Sequence, residues 1–243
     1  MDRSQNSTAE CQIFVGARLL KLEIIATSLE DAIEAARGGA HRLEIVRDLE
    51  RDGLTPSIDL VRRIQREVTL PLRVIVRDSD GFQCGSNDER RALCEHAAAF
   101  AALNVEGLVV GWTHERRIDE ETLGCVLNAA PSLRATFHRA FDMLPDPETA
   151  FRVLRQYPQV DRVLTSAGAG AWSSRCKAVR RYMRWAGSHI MILPGGGVNA
   201  EALAALAQCG APEAHIGRAA RVGHTVDGPV SAEAVRALVQ RMP

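Results

Sequence analysis

Lysine is nearly missing from this chain: only two of its 30 basic residues, Lys21 and Lys177, are lysines. Lys21 begins the first predicted strand and Lys177 lies in the middle of a predicted helix. A Schiff-base enzyme needs a lysine amine among its reacting groups, and in an α/β protein these groups follow the C-terminal ends of strands. The sequence therefore argues against a Schiff-base aldolase.

Several other signatures are also missing. No GxSxG or GxxxxGK[ST] motif occurs, and no apolar run approaches the roughly 20 residues that a membrane-spanning helix requires. Thirty basic residues balance 30 acidic ones, which argues against a general binder of nucleic acid or of membrane surfaces. The sequence thus favours a cytoplasmic protein whose partner is a small molecule, with neither nucleic acid nor a membrane as a partner.

The cysteines form no recognisable framework. Six are scattered along the chain without a CxxC pair, at positions 11, 84, 94, 125, 176 and 209. Such spacing indicates reduced thiols in a cytoplasmic protein, rather than disulfides or a zinc knuckle. Only Cys84, in the loop after the third predicted strand, is placed for nucleophilic chemistry, and a thiol without a function fits there better.

What the sequence does contain is a regular alternation of short β-branched strands and amphipathic helices. Eight strands are predicted, at residues 22–25, 41–46, 72–76, 106–111, 133–137, 161–166, 189–193 and 213–216. Eight strand–helix units predict a single-domain α/β fold, the closed (β/α)₈ TIM barrel, over residues 21–243. A doubly wound open sheet is the alternative. Residues 1–20 are expected to form a flexible leader or an arm that contacts another subunit.

The fifth strand ends in a cluster of polar side chains. His138, Arg139 and Asp142 follow the alternating segment 133–137, where a barrel places its active site. We predict that these three are catalytic, with His138 as a general acid/base or a metal ligand. The alternative is that His138 only caps a loop.

Two glutamates lie within predicted strands, Glu23 in the first and Glu44 in the second. A carboxylate in mid-strand either pairs with an arginine or points into the barrel. If the two glutamates lie at similar heights, one has its pKa raised and suits acid–base catalysis. With His138 they also form a candidate set of ligands for one divalent metal ion. The alternative is that each glutamate forms a salt bridge with an arginine and closes the barrel floor.

A second group is predicted to bind the substrate, and its members follow other strands. Glycine-rich loops after the seventh and eighth strands are frequent phosphate sites in barrels, and Arg77 is placed to hold an anion. Arg77 in a surface ion pair, and a simple tight turn at the glycines, are the alternatives. The group comprises Arg77, Thr165, Ser166, Gly195, Gly196, Gly197 and His215.

Six motifs together resemble one family. They are Leu22-Glu-Ile with Ser28, Gly38-Gly-Ala-His-Arg-Leu-Glu44, Gly53-Leu-Thr-Pro-Ser57, Thr136-Phe-His-Arg-Ala-Phe-Asp142, Arg162-Val-Leu-Thr-Ser166 and Pro194-Gly-Gly-Gly-Val198. From Leu22 to Arg218 the chain resembles the CutC family, long labelled copper homeostasis proteins. The resemblance implies a (β/α)₈ barrel that is cytoplasmic and forms homo-oligomers. It also implies either Cu(I) binding or an uncharacterised enzyme activity at the barrel mouth.

The chain departs from the family pattern at positions that matter for copper. Members proposed to bind Cu(I) carry cysteines where this chain has Ile25 and Val46, and Cu(I) prefers thiolate ligands. In the third loop, the second arginine and the aspartate of the family are replaced by Ser79 and Phe82. After His215 the family's serines are replaced by Ile-Gly-Arg. A divalent metal is therefore a candidate cofactor, and copper is disfavoured.

Three hypotheses for the function follow. The first is an enzyme that uses acid/base or metal-assisted chemistry on a small anionic or sugar-like substrate, by isomerisation, enolisation-type lyase chemistry or hydrolysis. The second is a copper-binding protein that uses its remaining cysteines, chiefly Cys84. The third is a barrel without catalytic activity that serves as an interaction surface.

Overall fold

A computed structural model describes residues 20–242 and shows a nearly closed barrel of parallel strands. In chain order the strands are β1 Lys21–Ala26, β2 Arg42–Ile45, β3 Leu72–Ile75, β4 Gly107–Val110, β5 Arg134–Phe137, β6 Val160–Thr165, β7 Met191–Pro194 and β8 Glu213–Ile216. Backbone pairing runs from β8 through β1 and onward to β7, and β7 and β8 lie side by side at the remaining seam. The predicted TIM barrel is confirmed, and the open sheet is not found.

Within the described residues, eight α-helices surround the strands, one after each strand. They are α1 Leu29–Gly38, α2 Ile58–Glu67, α3 Asn87–Ala102, α4 Glu120–Ala129, α5 Pro147–Leu154, α6 Trp172–Ala186, α7 Ala200–Gln208 and α8 Ala232–Val239. All except α6 begin after a Ser, Asp or Asn whose side chain accepts a backbone N–H of the first turn. Within residues 20–242, none of these helices has the length and apolar character needed to cross a membrane.

The apolar core lies between the strands and the helices. One face of each strand supplies fully buried aliphatic side chains to this layer, as Leu22 and Ile24 do from β1 and Leu43 and Ile45 from β2. Because side chains alternate along a strand, the residues between them point into the barrel. The helix-facing layer therefore holds the fold together, and the inner face is left to other side chains.

The lower part of the barrel interior is filled with charges. Arg42 bonds Glu23 at 2.5 Å and Glu213 at 2.6 Å, and Arg162 bonds Glu213 at 2.8 Å. Arg73, with a fully buried side chain, bonds Glu106 and makes a bidentate pair with Asp161 at 2.9 and 3.0 Å. These seven side chains, hereafter the ionic floor, close the end of the barrel opposite the active mouth. Buried charges are tolerated here because each one is paired.

Short elements after four of the strands differ from a plain strand–helix alternation, among them 3₁₀ helices at Leu49–Arg51 after β2 and at Arg218–Ala220 and Val222–His224 after β8. A short antiparallel hairpin, Thr113–His114 with Arg117–Ile118, follows β4, and its turn residues Glu115 and Arg116 have positive φ. A 3₁₀ helix, Arg139–Met143, follows β5. The predicted N-terminal leader, residues 1–20, lies outside the described residues except for Leu20, so that prediction stays untested.

Candidate functional site

The C-terminal ends of the strands open into a cavity of about 1070 Å³. Seven of the predicted site residues line it: Glu44, Arg77, His138, Arg139, Gly196, Gly197 and His215. The other five are not among the lining residues: Glu23, Asp142, Thr165, Ser166 and Gly195. The cavity is therefore at the end of the barrel where the sequence places the site.

The two strand glutamates are brought together by a histidine. In the strand register Glu23 lies level with His215 on β8 and with Arg42 on β2. His215 Nδ1 is 2.8 Å from Glu23 Oε1, and its Nε2 is 3.5 Å from Glu44 Oε2. All three side chains are buried. The result is a chain of ionisable groups, Glu23–His215–Glu44, that leads from the ionic floor to the cavity.

The surroundings push the pKa values of the two glutamates apart. Burial alone would raise the pKa of Glu23, but Arg42 and His215 outweigh it and hold that pKa far below its usual range. Glu44 has no arginine bonded to it, so burial, with the charge of Glu23 added, raises its pKa to about 7. Burial lowers the pKa of His215, yet Glu44 and Glu23 together raise it above the usual value. Glu23 is therefore an arginine-paired anion, and Glu44 is able to exchange a proton near neutral pH.

His138 is held in one orientation and one tautomer. Its Nδ1 accepts the backbone N–H of Ala140 at 3.1 Å, so in the neutral ring the proton is on Nε2. Burial, with Arg77 nearby, lowers the pKa of His138 to about 3, so the ring is neutral at physiological pH. The ring packs beside Phe82, and a Cβ at Gly111 would lie 2.6 Å from Nδ1. His138 thus caps the 3₁₀ helix, and it lines the cavity with a buried Nε2–H group that has no partner within residues 20–242.

Arg77 is buried at the cavity wall and serves mainly as a brace. Its Nε donates to Gly81 O, and its Nη1 donates to the carbonyls of Arg51 and Gly53 at 3.0 and 2.8 Å. No carboxylate lies within 4 Å of it in the part of the chain that the structure describes. Arg77 is therefore not in a surface ion pair, and its positive charge at the cavity has no protein anion bonded to it.

Asp142 organises the end of β6 rather than lining the cavity. Its carboxylate accepts from Thr165 Oγ1 at 2.5 Å and from the backbone N–H of Ser166 at 2.9 Å. Arg139, about half exposed at the mouth, lies 3.5 Å from the same carboxylate. Of these four residues, Arg139 is therefore the one that can meet a ligand, and the other three support the loop beneath it.

The glycine loop after β7 is fixed from outside and faces the cavity. Gly196 and Gly197 have positive φ, and their carbonyls accept from Arg175 at 3.0 Å and from Trp172 at 3.3 Å. A Cβ at Gly195 would lie 2.6 Å from Leu164 Cδ1, so a larger residue there would require the Leu164 side chain to shift. The loop runs into the first turn of α7, whose backbone N–H groups favour an anion. Ala200 and Glu201 of that turn line the cavity.

The residues able to hold a metal differ from the predicted set in one member. Within residues 20–242, the group of possible ligands that lie within 4.8 Å of one another is Glu23, Glu44 and His215, with His215 instead of His138. An ion there would have to replace the His215–Glu23 hydrogen bond and lie beside the Arg42 guanidinium. His138 would have to give up its bond to Ala140 and move its proton to Nδ1 to become a ligand through Nε2. The arrangement suits proton transfer better than metal binding.

The donor set does not fit Cu(I). The mouth offers carboxylates and imidazoles, whereas Cu(I) prefers thiolates. Ile25 and Val46 form an apolar cluster inside the barrel with Ile75 and Val109. Cys84 donates to Ser86 O at 3.4 Å, and in the described part of the chain no cysteine belongs to a group of three close ligands.

Two features of the site were not assigned from the sequence. Arg218, which follows β8 at the mouth, was given no role there, yet it is exposed, lines the cavity and adds a positive charge. The role of His215 as the link between two carboxylates was also missed. The signal for both was available in the eighth strand, whose polar residues His215 and Arg218 are three positions apart at the mouth.

Comparison with known sequences gives a consistent result. The model of the CutC family matches residues 20–220. A CutC family protein of Mesorhizobium japonicum is 35% identical over 183 residues, which cover 75% of this chain and 70% of that protein. The human protein named copper homeostasis protein cutC homolog is 32% identical over 178 residues, which cover 73% of this chain and 65% of that protein.

Solved structures show the same fold. The crystal structure of the putative copper homeostasis protein CutC from Streptococcus agalactiae superposes with a TM-score of 0.74 at 24% identity. The match covers 82% of this chain and 98% of that one. The barrel architecture is therefore shared, although most side chains differ.

Proposed function

This chain belongs to the CutC family, and we propose that it is an enzyme that transfers protons on a small anionic, sugar-like substrate at the mouth of its barrel. The observation that carries this proposal is Glu44, a buried carboxyl group at the cavity wall whose pKa is raised to about 7. A general base works best when its pKa lies near the working pH. Glu44 meets this condition, whereas Glu23 and His138 have pKa values far below it.

The neighbours of Glu44 supply the remaining parts of an acid–base site. Glu44 Oε2 lies 3.5 Å from His215 Nε2, so protonation of Glu44 removes a negative charge beside this nitrogen. Glu23 contacts the other nitrogen of the same ring, Nδ1. Glu23 therefore fixes the ring and stabilises its charged form, while Arg42 anchors Glu23 from below. In this proposal Glu44 is the catalytic group, and His215 and Glu23 are positioning groups.

The anionic part of the substrate is assigned from the charges around the cavity. Four arginines line it with the glycine loop and the first turn of α7: Arg77, Arg139, Arg218 and Arg241. The exposed carboxylates of Glu50, Asp52 and Glu201 also line it, so the assignment depends on Arg77, the buried arginine. Arg77 is buried without a bonded carboxylate in the described residues, and a substrate anion would offset that buried charge. Loops after the seventh and eighth strands bind phosphate in many barrels. A phosphorylated or carboxylated sugar-like compound therefore fits the site.

The experiment is a conversion assay with a matched pair of variants. Wild type, Glu44→Gln and Glu201→Gln are incubated with a panel of sugar phosphates and sugar acids, and products are followed by proton NMR. Glu201 is an exposed carboxylate that lines the same cavity, so it controls for charge alone. We expect Glu44→Gln to lower turnover by roughly 10²- to 10⁴-fold. Conversion at an unchanged rate in Glu44→Gln, or no conversion of any compound, would contradict the proposal.

The remaining expectations stay proposals. We place the protein in the cytoplasm, because the five cysteines of the described region are all free thiols, as a reducing compartment requires. We also propose a homo-oligomer with no nucleic acid or membrane partner. Light scattering after gel filtration measures the oligomeric state, and the mass of a single monomer would contradict the proposed homo-oligomer.

A further inference from the structure

Among residues 20–242, two polar atoms inside the barrel lack hydrogen-bond partners: one is on the inner face of β5, and the other is in the residue that follows this strand. The Nε2 of His138 and the Oγ1 of Thr136 are buried and have no partner among residues 20–242. Thr136 is fully buried, and His138 is 4% exposed. Side chains two apart on a strand share a face, so both side chains lie on the inner side of the barrel, and His138 lines the cavity. Buried polar groups are paired in most native structures, so this pair needs an explanation.

The missing partner of His138 is an acceptor. Because Nδ1 accepts from Ala140, Nε2 carries the proton and can only donate. The ring is fixed by Phe82 and by the close approach of Gly111, so the N–H group has a set direction before any ligand arrives. A preset donor in a site shielded from water is what stabilises negative charge developing on an oxygen. The acceptor that fits is a substrate oxygen that gains charge during the reaction.

We infer that His138 donates its Nε2–H to the carbonyl oxygen of an enolisable hydroxy-aldehyde or hydroxy-ketone, while Glu44 removes the proton from the adjacent carbon. This inference rests on the proposed role of Glu44, since both side chains line the same cavity. It selects enolisation from the reaction classes that suit such a site. Hydrolysis of an ester or a glycoside would not require Glu44 to remove a proton from a carbon atom while His138 donates to the adjacent carbonyl oxygen.

The step is balanced without an oxidant or a cofactor. The C–H bond next to the carbonyl breaks, and its proton goes to the Glu44 carboxylate. The electron pair of that bond forms the C=C bond of an enediolate, and the carbonyl π pair moves to the oxygen that faces His138. Return of the proton to the same carbon regenerates the substrate. Return to the neighbouring carbon, with the hydroxyl proton moving between the two oxygens, gives the isomer. A neutral imidazole is the better donor here, because it does not protonate the enediolate prematurely.

Exchange of hydrogen with solvent tests this step directly, because it requires no net conversion. Each protein is incubated in deuterium oxide with dihydroxyacetone phosphate, ribulose 5-phosphate and fructose 6-phosphate, and proton NMR measures the loss of the C–H signal next to the carbonyl. Glycerol 3-phosphate, which has no carbonyl group, is the control compound. We expect the wild type to exchange at least one of the three ketoses.

The variants of His138 are designed to separate its two roles. In His138→Asn the shorter side chain still caps the 3₁₀ helix through its oxygen but does not reach the position of Nε2. His138→Gln restores an N–H group near that position. His41→Asn is the matched control, because His41 Nδ1 also accepts a backbone N–H, from Leu22, at the opposite end of the barrel. We expect roughly 10²-fold slower exchange in His138→Asn, partial recovery in His138→Gln and no change in His41→Asn.

The outcomes distinguish the inference from the proposed function. Exchange at the wild-type rate in His138→Asn, with exchange lost in Glu44→Gln, overturns the role of His138 and leaves that of Glu44 standing. Exchange of none of the ketoses overturns the substrate class, and the proposed function then survives only if the wider panel contains a compound converted in a manner dependent on Glu44. Exchange that is unaffected by Glu44→Gln overturns both.

Discussion

Replacing Glu44 by glutamine should change how the stability of the protein depends on pH. Glu44 is buried, and its pKa is raised from 4.5 to about 7 in the folded state. Between these two values the folded protein binds a proton that the unfolded chain has lost, so wild-type stability falls as the pH rises. The shift of about 2.5 units corresponds to roughly 3 kcal/mol, most of which is lost between pH 5 and pH 8. Glutamine is neutral at every pH and avoids this loss.

His215 also makes the wild type lose stability relative to Glu44→Gln as the pH rises. Its pKa is raised in the folded state by Glu44 and Glu23, so its stabilising contribution is present at low pH and is lost as the pH rises through the folded value. Glu44→Gln removes one of the two charges that raise it. The free energy of unfolding of the variant, relative to wild type, should therefore increase by about 2–3 kcal/mol from pH 5 to pH 8.

Urea unfolding at several pH values between 5 and 8 measures this difference, provided that the m-value does not change. Glu201→Gln serves as the control: this exposed carboxylate is in the first turn of α7, where its replacement should cost at most about 1 kcal/mol at any pH in the range. A constant difference between wild type and Glu44→Gln from pH 5 to pH 8 would refute the reasoning. It would mean that the Glu44 carboxyl group is already ionised at pH 5.

Three further predictions use other parts of the molecule. In Gly111→Ala the new Cβ would lie 2.6 Å from His138 Nδ1, so turnover should fall by about tenfold or more. The same overpacking should cost roughly 1–3 kcal/mol of unfolding free energy. Turnover equal to wild type would show that the orientation of His138 does not matter. Arg73→Met removes the arginine partner of Glu106 and one of the two arginines bonded to Asp161, which keeps its bond to Arg162. It should cost about 1–3 kcal/mol in urea unfolding, whereas an unchanged midpoint would contradict the role of Arg73 in the ionic floor. The kcat/KM should rise with pH through about 7 as Glu44 loses its proton. His138, with a pKa of about 3, should add no inflection near neutral pH. A profile that is flat from pH 5 to pH 8 would contradict the assignment of Glu44 as the base.

The strands of the barrel could be predicted from the sequence because alternation is a local pattern. The fifth strand is an example: residues 133–137 alternate, and the structure has a strand at Arg134–Phe137. The hairpin Thr113–His114 with Arg117–Ile118 could not be predicted, because its turn uses Glu115 and Arg116 instead of the usual Asn-Gly pair. Local signals thus predicted the architecture and missed an unusual turn.

The contacts within the site depend on the heights of strands that are far apart in the chain. Glu23 and His215 are 192 residues apart, and only the register of β1 against β8 makes them neighbours. The sequence showed that Glu23 and Glu44 are unusual, but not that an arginine bonds one of them and leaves the other free. The arginines at 42, 73 and 162 carried the same mid-strand signal and would have indicated the ionic floor.

The separation of the apolar layer from the barrel interior has a consequence for how relatives of this protein diverge. The side chains that hold strands to helices are not those that face the cavity, so a substitution at the cavity end of the barrel interior leaves the helix-facing layer unchanged. Ile25 and Val46 show this, since they line the cavity and belong to an internal apolar cluster that is separate from the main core. A few substitutions among the cavity-lining residues can therefore change which ligand the barrel binds, while the packing of its strands against its helices stays the same. Membership of one family then indicates a shared barrel architecture and does not by itself indicate a shared ligand.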